Sequence, residues 1–149
     1  MKASVMIKSE TRDIPRLIMG IGHHLKLRLD KRLSQNNLTI SQFKVLAYLW
    51  EHHQQKVNQK QIHDFLEIKP SSMTKLIRLL QAKDLIQKEV DPDDPRNKII
   101  KITAAGMEIK KICLHHMKQS ENYLLKDFSE QEMDTFYDLL LRIKEKIRS

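Results

Sequence analysis

Glycine and proline are scarce in this chain, with three and four copies among 149 residues. Because these two residue types are the main interrupters of helices, their scarcity predicts a structure built mainly from α-helices. The exception lies in the middle of the chain, where Leu85 to Val90 and Lys98 to Thr103 have the composition of strands on either side of a turn with two prolines. The sequence therefore predicts a mainly α protein with one small β-hairpin.

The spacing of apolar residues and the capping signals predict six helices around this hairpin. The first is expected over about residues 13–33, and the fifth begins after Thr103 and runs to about Lys126. Capping boxes mark the start of the second helix at Thr39 and of the last helix at Ser129. Long amphipathic helices at both ends of a small protein need a partner surface, and dimerisation supplies one.

The third and fourth helices are short, and the three residues from Glu67 to Lys69 join them. Asn58 is expected to cap the third helix, and Ile62, Phe65 and Leu66 are expected to face inward. The order helix, helix, turn, helix, hairpin is the layout of a winged helix-turn-helix, in which the second short helix enters the DNA major groove. We therefore expect a winged helix-turn-helix with terminal dimerisation helices.

The fourth helix has an apolar face and a polar face. Met73, Leu76, Ile77 and Leu80 recur at helical spacing and are expected to face the core. Hydroxyl groups bind phosphates, and Lys or Arg can read guanine edges, so the polar face is suited to the major groove. The alternative is an ordinary solvent-exposed helix face. The candidate contacts are Ser71, Ser72, Thr74, Lys75 and Arg78.

The hairpin turn carries two candidate contacts of its own, Arg96 and Lys98, behind three acidic residues. A cation on an exposed β-wing can enter the minor groove, where the negative potential favours arginine. Asp94 is expected to support the wing by holding Arg96 or a neighbouring helix in place. The alternative is a charged turn that only increases solubility.

Charge and composition narrow the class of protein. The net charge is +8, and most of the excess lies in residues 1–37 and 56–103, which permits a polyanionic partner. A single cysteine excludes a disulfide scaffold, and no apolar stretch approaches the length of a membrane span. Residues 1–11 lack the apolar stretch of a signal peptide, so a cytoplasmic location without membrane contact is expected. No phosphate-binding Gly-rich loop, H-E-x-x-H or G-x-S-x-G is present, so neither an enzyme nor a cofactor is expected.

Seven histidines and one cysteine raise the question of metal or oxidant sensing. Cys113 and His116 share a helix face, but they are only two ligands, whereas structural zinc usually takes four. His23 or His24 of another helix could add ligands. The favoured interpretation is a buried cysteine without a metal, and an oxidant-sensing role stays an alternative.

Three segments of the chain resemble the multiple antibiotic resistance regulator (MarR) family of bacterial transcription factors, and the resemblance covers about residues 12–148. The segments are Leu38-Thr39-x-x-Gln42-Phe43, Pro70-Ser71-Ser72-x-Thr74-Lys75-Leu76-Ile77 and Asp91-Pro92-x-Asp94-x-Arg96-x-Lys98. The resemblance implies a homodimer with interlocked terminal helices that represses transcription from an operator. It also implies release by a small molecule, often aromatic or phenolic, and an Arg96 side chain that reaches the minor groove. Asp84 and His63 depart from the family pattern, which usually has glycine and a small residue there.

Together these observations predict one intertwined structural unit with three parts. Residues 1–37 form the N-terminal helix of the dimerisation region, residues 38–103 the DNA-binding lobe, and residues 104–149 the C-terminal dimerisation helices. The expected function is regulation of transcription at a pseudo-palindromic operator in double-stranded DNA, most simply as a repressor with a small-molecule effector whose binding residues the sequence leaves unassigned. The alternatives are a metal- or oxidant-responsive regulator of the same fold and a winged-helix module that binds protein.

Overall fold

A computed structural model describes residues 12–149, so residues 1–11, where a signal peptide is not expected, lie outside the described part. This part contains six helices and a two-stranded antiparallel hairpin, which confirms the expected fold class. The elements are α1 (Ile14–Ser34), α2 (Ile40–Glu51), α3 (Gln59–Leu66), α4 (Pro70–Ala82), β1 (Ile86–Val90), β2 (Lys98–Ile102), α5 (Ala104–Leu125) and α6 (Glu130–Arg148). The chain divides into two compact units, one ending at Met107 and the other comprising Glu108–Ser149. No helix in residues 12–149 combines the length and apolar character needed to cross a membrane.

The helix starts follow the local signals of the sequence. The Thr39 hydroxyl accepts a hydrogen bond from the Gln42 backbone N–H at 3.2 Å, and the Gln42 side chain accepts one from the Thr39 N–H at 3.3 Å. Ser129 forms the same reciprocal box with Glu132 at the start of α6. Pro70 is the first residue of α4, where its missing N–H leaves no intrahelical bond unmade. These caps confirm the predicted starts of α2, α4 and α6.

The core of the first unit is formed by side chains from α2, α3, α4 and β1. Burial of these apolar groups stabilises the fold by about 25 cal/mol for each Å² of apolar surface removed from water. It also fixes α4 against α2 and α3. Of the four residues expected on the inner face of α4, three are fully buried and Leu76 is half-buried. The fully buried large side chains are Val45, Leu46, Ile62, Met73, Ile77, Leu80 and Ile86.

The expected inward position of Phe65 is wrong. This side chain is 64% exposed, and its ring lies 4.9 Å from the ring of Tyr48. The helix α3 has only eight residues, and Ile62 fills its position in the core, so Phe65 lies at the edge of the lobe and packs against an aromatic neighbour there. Leu66 is half-buried.

Two tight links set the direction of α4. Glu67, between α3 and α4, has a φ of 53°, and Asp84, after α4, has a φ of 57°. Asp tolerates this left-handed conformation better than most residues, so the family's usual glycine is replaced without loss of the turn. The left-handed conformation expected at Asp84 is therefore confirmed, whereas the one at Glu67 carried no sequence signal.

The hairpin is joined to the helices at both ends. Ile86 pairs with Ile102 and Val90 with Lys98, so the strands are in full register. The backbone N–H of Ile100 donates to the Val57 carbonyl at 2.7 Å, which places the segment before α3 against the outer side of β2. The middle of β2 is thus held next to the first turn of α3.

The start of α5 is a junction of three elements. The Thr103 hydroxyl donates to the Asp84 carbonyl at 2.6 Å and accepts from the Gly106 N–H at 3.0 Å. The Trp50 indole N–H of α2 donates to the Gly106 carbonyl at 3.1 Å. These bonds fix the end of the hairpin against the core of the first unit.

Candidate DNA-binding surface

The outward face of α4 carries all five candidate contacts. Every one of these side chains is exposed, while the intervening positions are buried or half-buried. The separation occurs because α4 packs its apolar stripe on α2, α3 and β1 and leaves the opposite stripe to solvent. The exposed residues are Ser71, Ser72, Thr74, Lys75 and Arg78.

Thr74 differs from its neighbours because its hydroxyl is already engaged. The hydroxyl donates to the Pro70 carbonyl at 3.1 Å and accepts from the Gln59 side-chain N–H at 3.0 Å. It therefore links α3 to α4 and fixes the angle between the two helices. The remaining lone pair of the hydroxyl can accept a hydrogen bond, but its proton is not available to a phosphate unless the bond to Pro70 breaks.

The wing presents Arg96 and Lys98 as exposed cations. An Asp94 carboxylate oxygen accepts a hydrogen bond from the Arg96 backbone N–H at 3.1 Å. Asp94 thus shapes the turn through the backbone. Within residues 12–149 no carboxylate lies within ion-pair distance of the Arg96 guanidinium, so the guanidinium remains available for an external partner.

A second support of the wing, which the sequence analysis missed, joins it to the segment before α3. The Lys56 ammonium lies 3.0 Å from a carboxylate oxygen of Asp91 and also pairs with Asp93. Asp91 is buried and accepts two further hydrogen bonds, from the Asp93 backbone N–H at 2.9 Å and from the Asn97 side chain at 3.3 Å. The backbone N–H of Asp93, then Lys56 and Asn97, hold the pKa of Asp91 below its usual value, and both aspartates raise the pKa of Lys56. We call these three residues, Lys56, Asp91 and Asp93, the wing anchor.

Lys88 is a further basic residue of the surface that the sequence analysis did not single out. Its side chain is half-buried on β1. Burial, followed by the charges of Lys98 and Arg78, lowers the pKa of Lys88 below its ordinary value. Arg78 of α4 and Lys98 of the wing are therefore near the same ammonium group, so α4 and the wing both contribute positive charge to this surface.

A cavity of about 350 Å³ opens beside Lys88, between the first turn of α3 and the wing. Its walls are polar and basic, with one apolar side chain at the base. None of the lining residues is acidic. The lining residues are Asn58, Gln59, Lys60, Lys88, Arg96, Asn97, Lys98 and Ile100.

The residues considered for metal or oxidant sensing lie outside this surface. Cys113 is buried in α5, and burial raises the pKa of its thiol, which disfavours the reactive thiolate. In residues 12–149, no three His, Cys, Asp or Glu side chains are grouped closely enough to hold a metal ion. The environment of Cys113 is that of a small apolar core residue.

Comparisons with known sequences indicate a family of transcription factors. The family model described as "Transcriptional regulator SarA/Rot" matches residues 29–112, more than half of the chain. The chain is also 31% identical over 107 residues to the HTH-type transcriptional regulator YxaD of Bacillus subtilis. The matched segment covers 72% of this chain and 73% of that relative. The family-model match contains α2, α3 and α4 in full, and both matches are to regulators of transcription.

Solved structures agree on the fold over almost the whole chain. MepR, a transcription regulator of the Staphylococcus aureus multidrug efflux pump MepA, is 26% identical with a TM-score of 0.80, over 91% of this chain and 99% of that one. MepR in a complex with DNA is 27% identical with a TM-score of 0.75, over 93% and 99%. Escherichia coli MarR, at 24% identity and a TM-score of 0.77 over 91% and 98%, shares the fold. The chain belongs to the SarA/Rot family of transcriptional regulators, which are not enzymes, and it has the winged helix-turn-helix fold of MepR and MarR.

Proposed function

We propose that the protein is a homodimeric repressor that binds a pseudo-palindromic operator and is released by a small molecule. The observation that carries the DNA-binding part is the exposed basic face shared by α4 and the wing, with an Arg96 guanidinium that no carboxylate in residues 12–149 neutralises. In this proposal Ser71, Ser72, Thr74, Lys75 and Arg78 meet the major groove or its phosphates. Arg96 and Lys98 enter the minor groove or contact the phosphates beside it, and Asp94 supports the wing.

The geometry of a two-fold dimer sets the form of the operator. Two copies of α4 would enter successive major grooves on one side of the duplex, so the half-site centres would lie about 34–36 Å apart. An apolar recognition face would instead favour a module that binds protein, and the face of α4 is polar and basic. Because bacterial DNA lies in the cytoplasm, the proposed activity places the protein there.

The dimer part of the proposal rests on apolar side chains that remain exposed in one chain. No residue of α6 is buried, and the Ile147 side chain is 78% exposed. Large apolar side chains of α1, such as Leu17, Met19 and Leu27, are exposed as well. Large apolar side chains that stay exposed along a helix are expected where a second chain covers them. We therefore assign residues 1–37 and 104–149 to dimerisation and residues 38–103 to DNA binding.

Binding to a duplex from the protein's own promoter region is the direct test of the DNA-binding proposal. The wild-type protein is expected to shift a duplex from that region, and log affinity should fall steeply with log salt, by about 0.9 per neutralised phosphate. The variant Arg78→Ala should lose about tenfold or more, because a cation that reads a base edge contributes about 1–3 kcal/mol. The variant Lys111→Ala removes the same charge from an exposed residue of α5 paired with Glu108 and should bind like the wild type.

Absence of any complex with the promoter duplex at low salt would contradict the DNA-binding proposal. Equal losses of affinity in Arg78→Ala and Lys111→Ala would show that the effect comes from net charge alone. Relief of binding by a panel of phenolic compounds in the same assay is expected from the proposed effector class. If every such compound leaves the complex intact, the effector class is wrong while operator binding stands.

Dimerisation is expected to fail when a charge is placed on the exposed stripe of α6. Burial of one isoleucine contributes about 1.5–3 kcal/mol, and a two-fold interface contains it twice, so Ile147→Glu should raise the dimer dissociation constant about tenfold or more. Thr135→Glu introduces the same charge on an exposed residue about 120° away around the helix and serves as the control. Sedimentation equilibrium gives the masses. A wild-type protein that sediments as one chain at micromolar concentration would contradict the dimer.

A further inference from the structure

The register of the hairpin concentrates charge on one of its faces. Lys88 pairs with Ile100, and Val90 pairs with Lys98. Because side chains alternate between the faces of a strand, Lys88 and Lys98 share a face and are diagonal neighbours, about 7–8 Å apart at the backbone. The opposite face holds Lys101 in an ion pair with Glu89 at 2.7 Å. One face of the wing is therefore neutralised internally, and the other is not.

The cavity beside this face has a positive potential that the described part of the protein does not compensate. Of its four cationic lining residues, only Lys60 has a carboxylate partner, Asp64, at 3.1 Å. In residues 12–149, Lys88, Arg96 and Lys98 have no ion-pair partner. The first turn of α3 lines the same cavity, and the positive end of its dipole adds to the field.

Cations placed this close together raise the free energy of the folded protein unless an anion binds between them. Burial and the charges of Lys98 and Arg78 lower the pKa of Lys88, which means that the folded protein disfavours the charged ammonium. Since the group is charged at neutral pH in the unfolded chain, this interaction destabilises the fold below the folded-state pKa and disappears only at strongly alkaline pH. An oxyanion between Lys88 and Lys98 would reverse the sign of the interaction.

We propose that this cavity is a phosphate-binding site, in which Lys88 and Lys98 together hold one backbone phosphate of bound duplex DNA. The inference rests on the proposed function, since it takes the operator as the source of the phosphate. The site lies between Arg78 on the major-groove helix and Arg96 on the wing, so the phosphate it holds is the one that separates the two grooves. Lys88 is thereby a positioning contact that fixes where Arg78 and Arg96 lie along the duplex.

A matched pair of variants on the two faces of the hairpin tests the site. Lys88→Gln removes the central cation of the cavity, and Lys101→Gln removes a cation of the same strand pair on the neutralised face. For the full-length protein on a duplex that spans two major grooves, Lys88→Gln should weaken binding several-fold at low salt and reduce the salt slope by about one. Lys101→Gln should leave both quantities unchanged. The midpoint of thermal unfolding of Lys88→Gln should equal or exceed that of the wild type.

Two results would overturn the inference. The first is an unchanged salt slope in Lys88→Gln while Arg78→Ala still loses affinity, which would leave the proposed function standing without this site. The second is saturable binding of inorganic phosphate that depends on Lys88 while the DNA salt slope does not, which would assign the cavity to a free phosphorylated molecule. Failure of the wild-type protein to bind DNA would instead contradict the proposed function itself. Failure of the phosphate site and failure of the proposed function are therefore distinguishable.

Discussion

Arg96→Ala is expected to weaken operator binding about tenfold or more, about 1.4 kcal/mol, while the midpoint of thermal unfolding stays unchanged. The guanidinium is exposed, and no carboxylate in residues 12–149 pairs with it, so its removal breaks no ion pair. The Asp94 hydrogen bond to residue 96 uses the backbone N–H and survives the substitution. Titration of a labelled operator duplex measures the affinity. Unchanged affinity would contradict the assignment of the wing.

The wing anchor allows contact of Arg96 with DNA to be distinguished from positioning of the wing by Lys56. Lys56 binds the buried Asp91 carboxylate, 35 residues away in sequence, and fixes the turn of the wing to the segment before α3. If the anchor acts through Arg96, Lys56→Met should weaken binding in the wild-type background and have little effect in the Arg96→Ala background. A double-mutant cycle measures this coupling directly. Additive losses would show that Lys56 affects binding independently of Arg96, in contradiction to the anchor acting through Arg96.

The control for the cycle is Lys101→Met, which removes an exposed, paired lysine from the same hairpin. It should leave affinity unchanged in both backgrounds. A loss in Lys101→Met equal to that in Lys56→Met would attribute the effect to overall charge, in contradiction to the anchor.

Gly106→Ala is expected to destabilise the fold by about 1–3 kcal/mol, the usual cost of forcing extra atoms into a packed site. A β-carbon at this position would lie 2.4 Å from the Leu85 carbonyl oxygen and 2.7 Å from a side-chain carbon of Ile102. Since the first of these contacts is backbone, it can be relieved only by a shift of α5 away from the hairpin. The same shift strains the hydrogen bond from Trp50 to the Gly106 carbonyl.

The sign of this effect is informative, since alanine in place of glycine inside an exposed helix usually stabilises it by up to about 1 kcal/mol. Ala105→Ser, at the exposed neighbouring position in the same turn, serves as the control and should change stability by less than about 0.5 kcal/mol. Denaturant unfolding followed by circular dichroism gives both values. Equal or greater stability of Gly106→Ala would contradict the close approach of α5 to the hairpin.

Much of this architecture follows from interactions between residues close in sequence. The capping boxes at Thr39 and Ser129, the proline at the start of α4 and the left-handed Asp84 each depend on a few adjacent residues, so each could be predicted. The two faces of α4 follow from helical periodicity alone. For that reason the sequence determined the winged helix-turn-helix and which side chains of α4 are exposed.

What the tertiary structure decided depends on contacts between residues far apart in sequence. The exposure of Phe65 depends on which side chain of a short helix fills the core, and periodicity cannot rank Phe65 against Ile62. The pairing of Lys56 with Asp91 and the approach of Lys88 to Arg78 both require the hairpin to fold back onto the helices. Charge counts treat all these side chains alike, because the attraction or repulsion of two charges depends on their distance, and only the packed chain sets that distance.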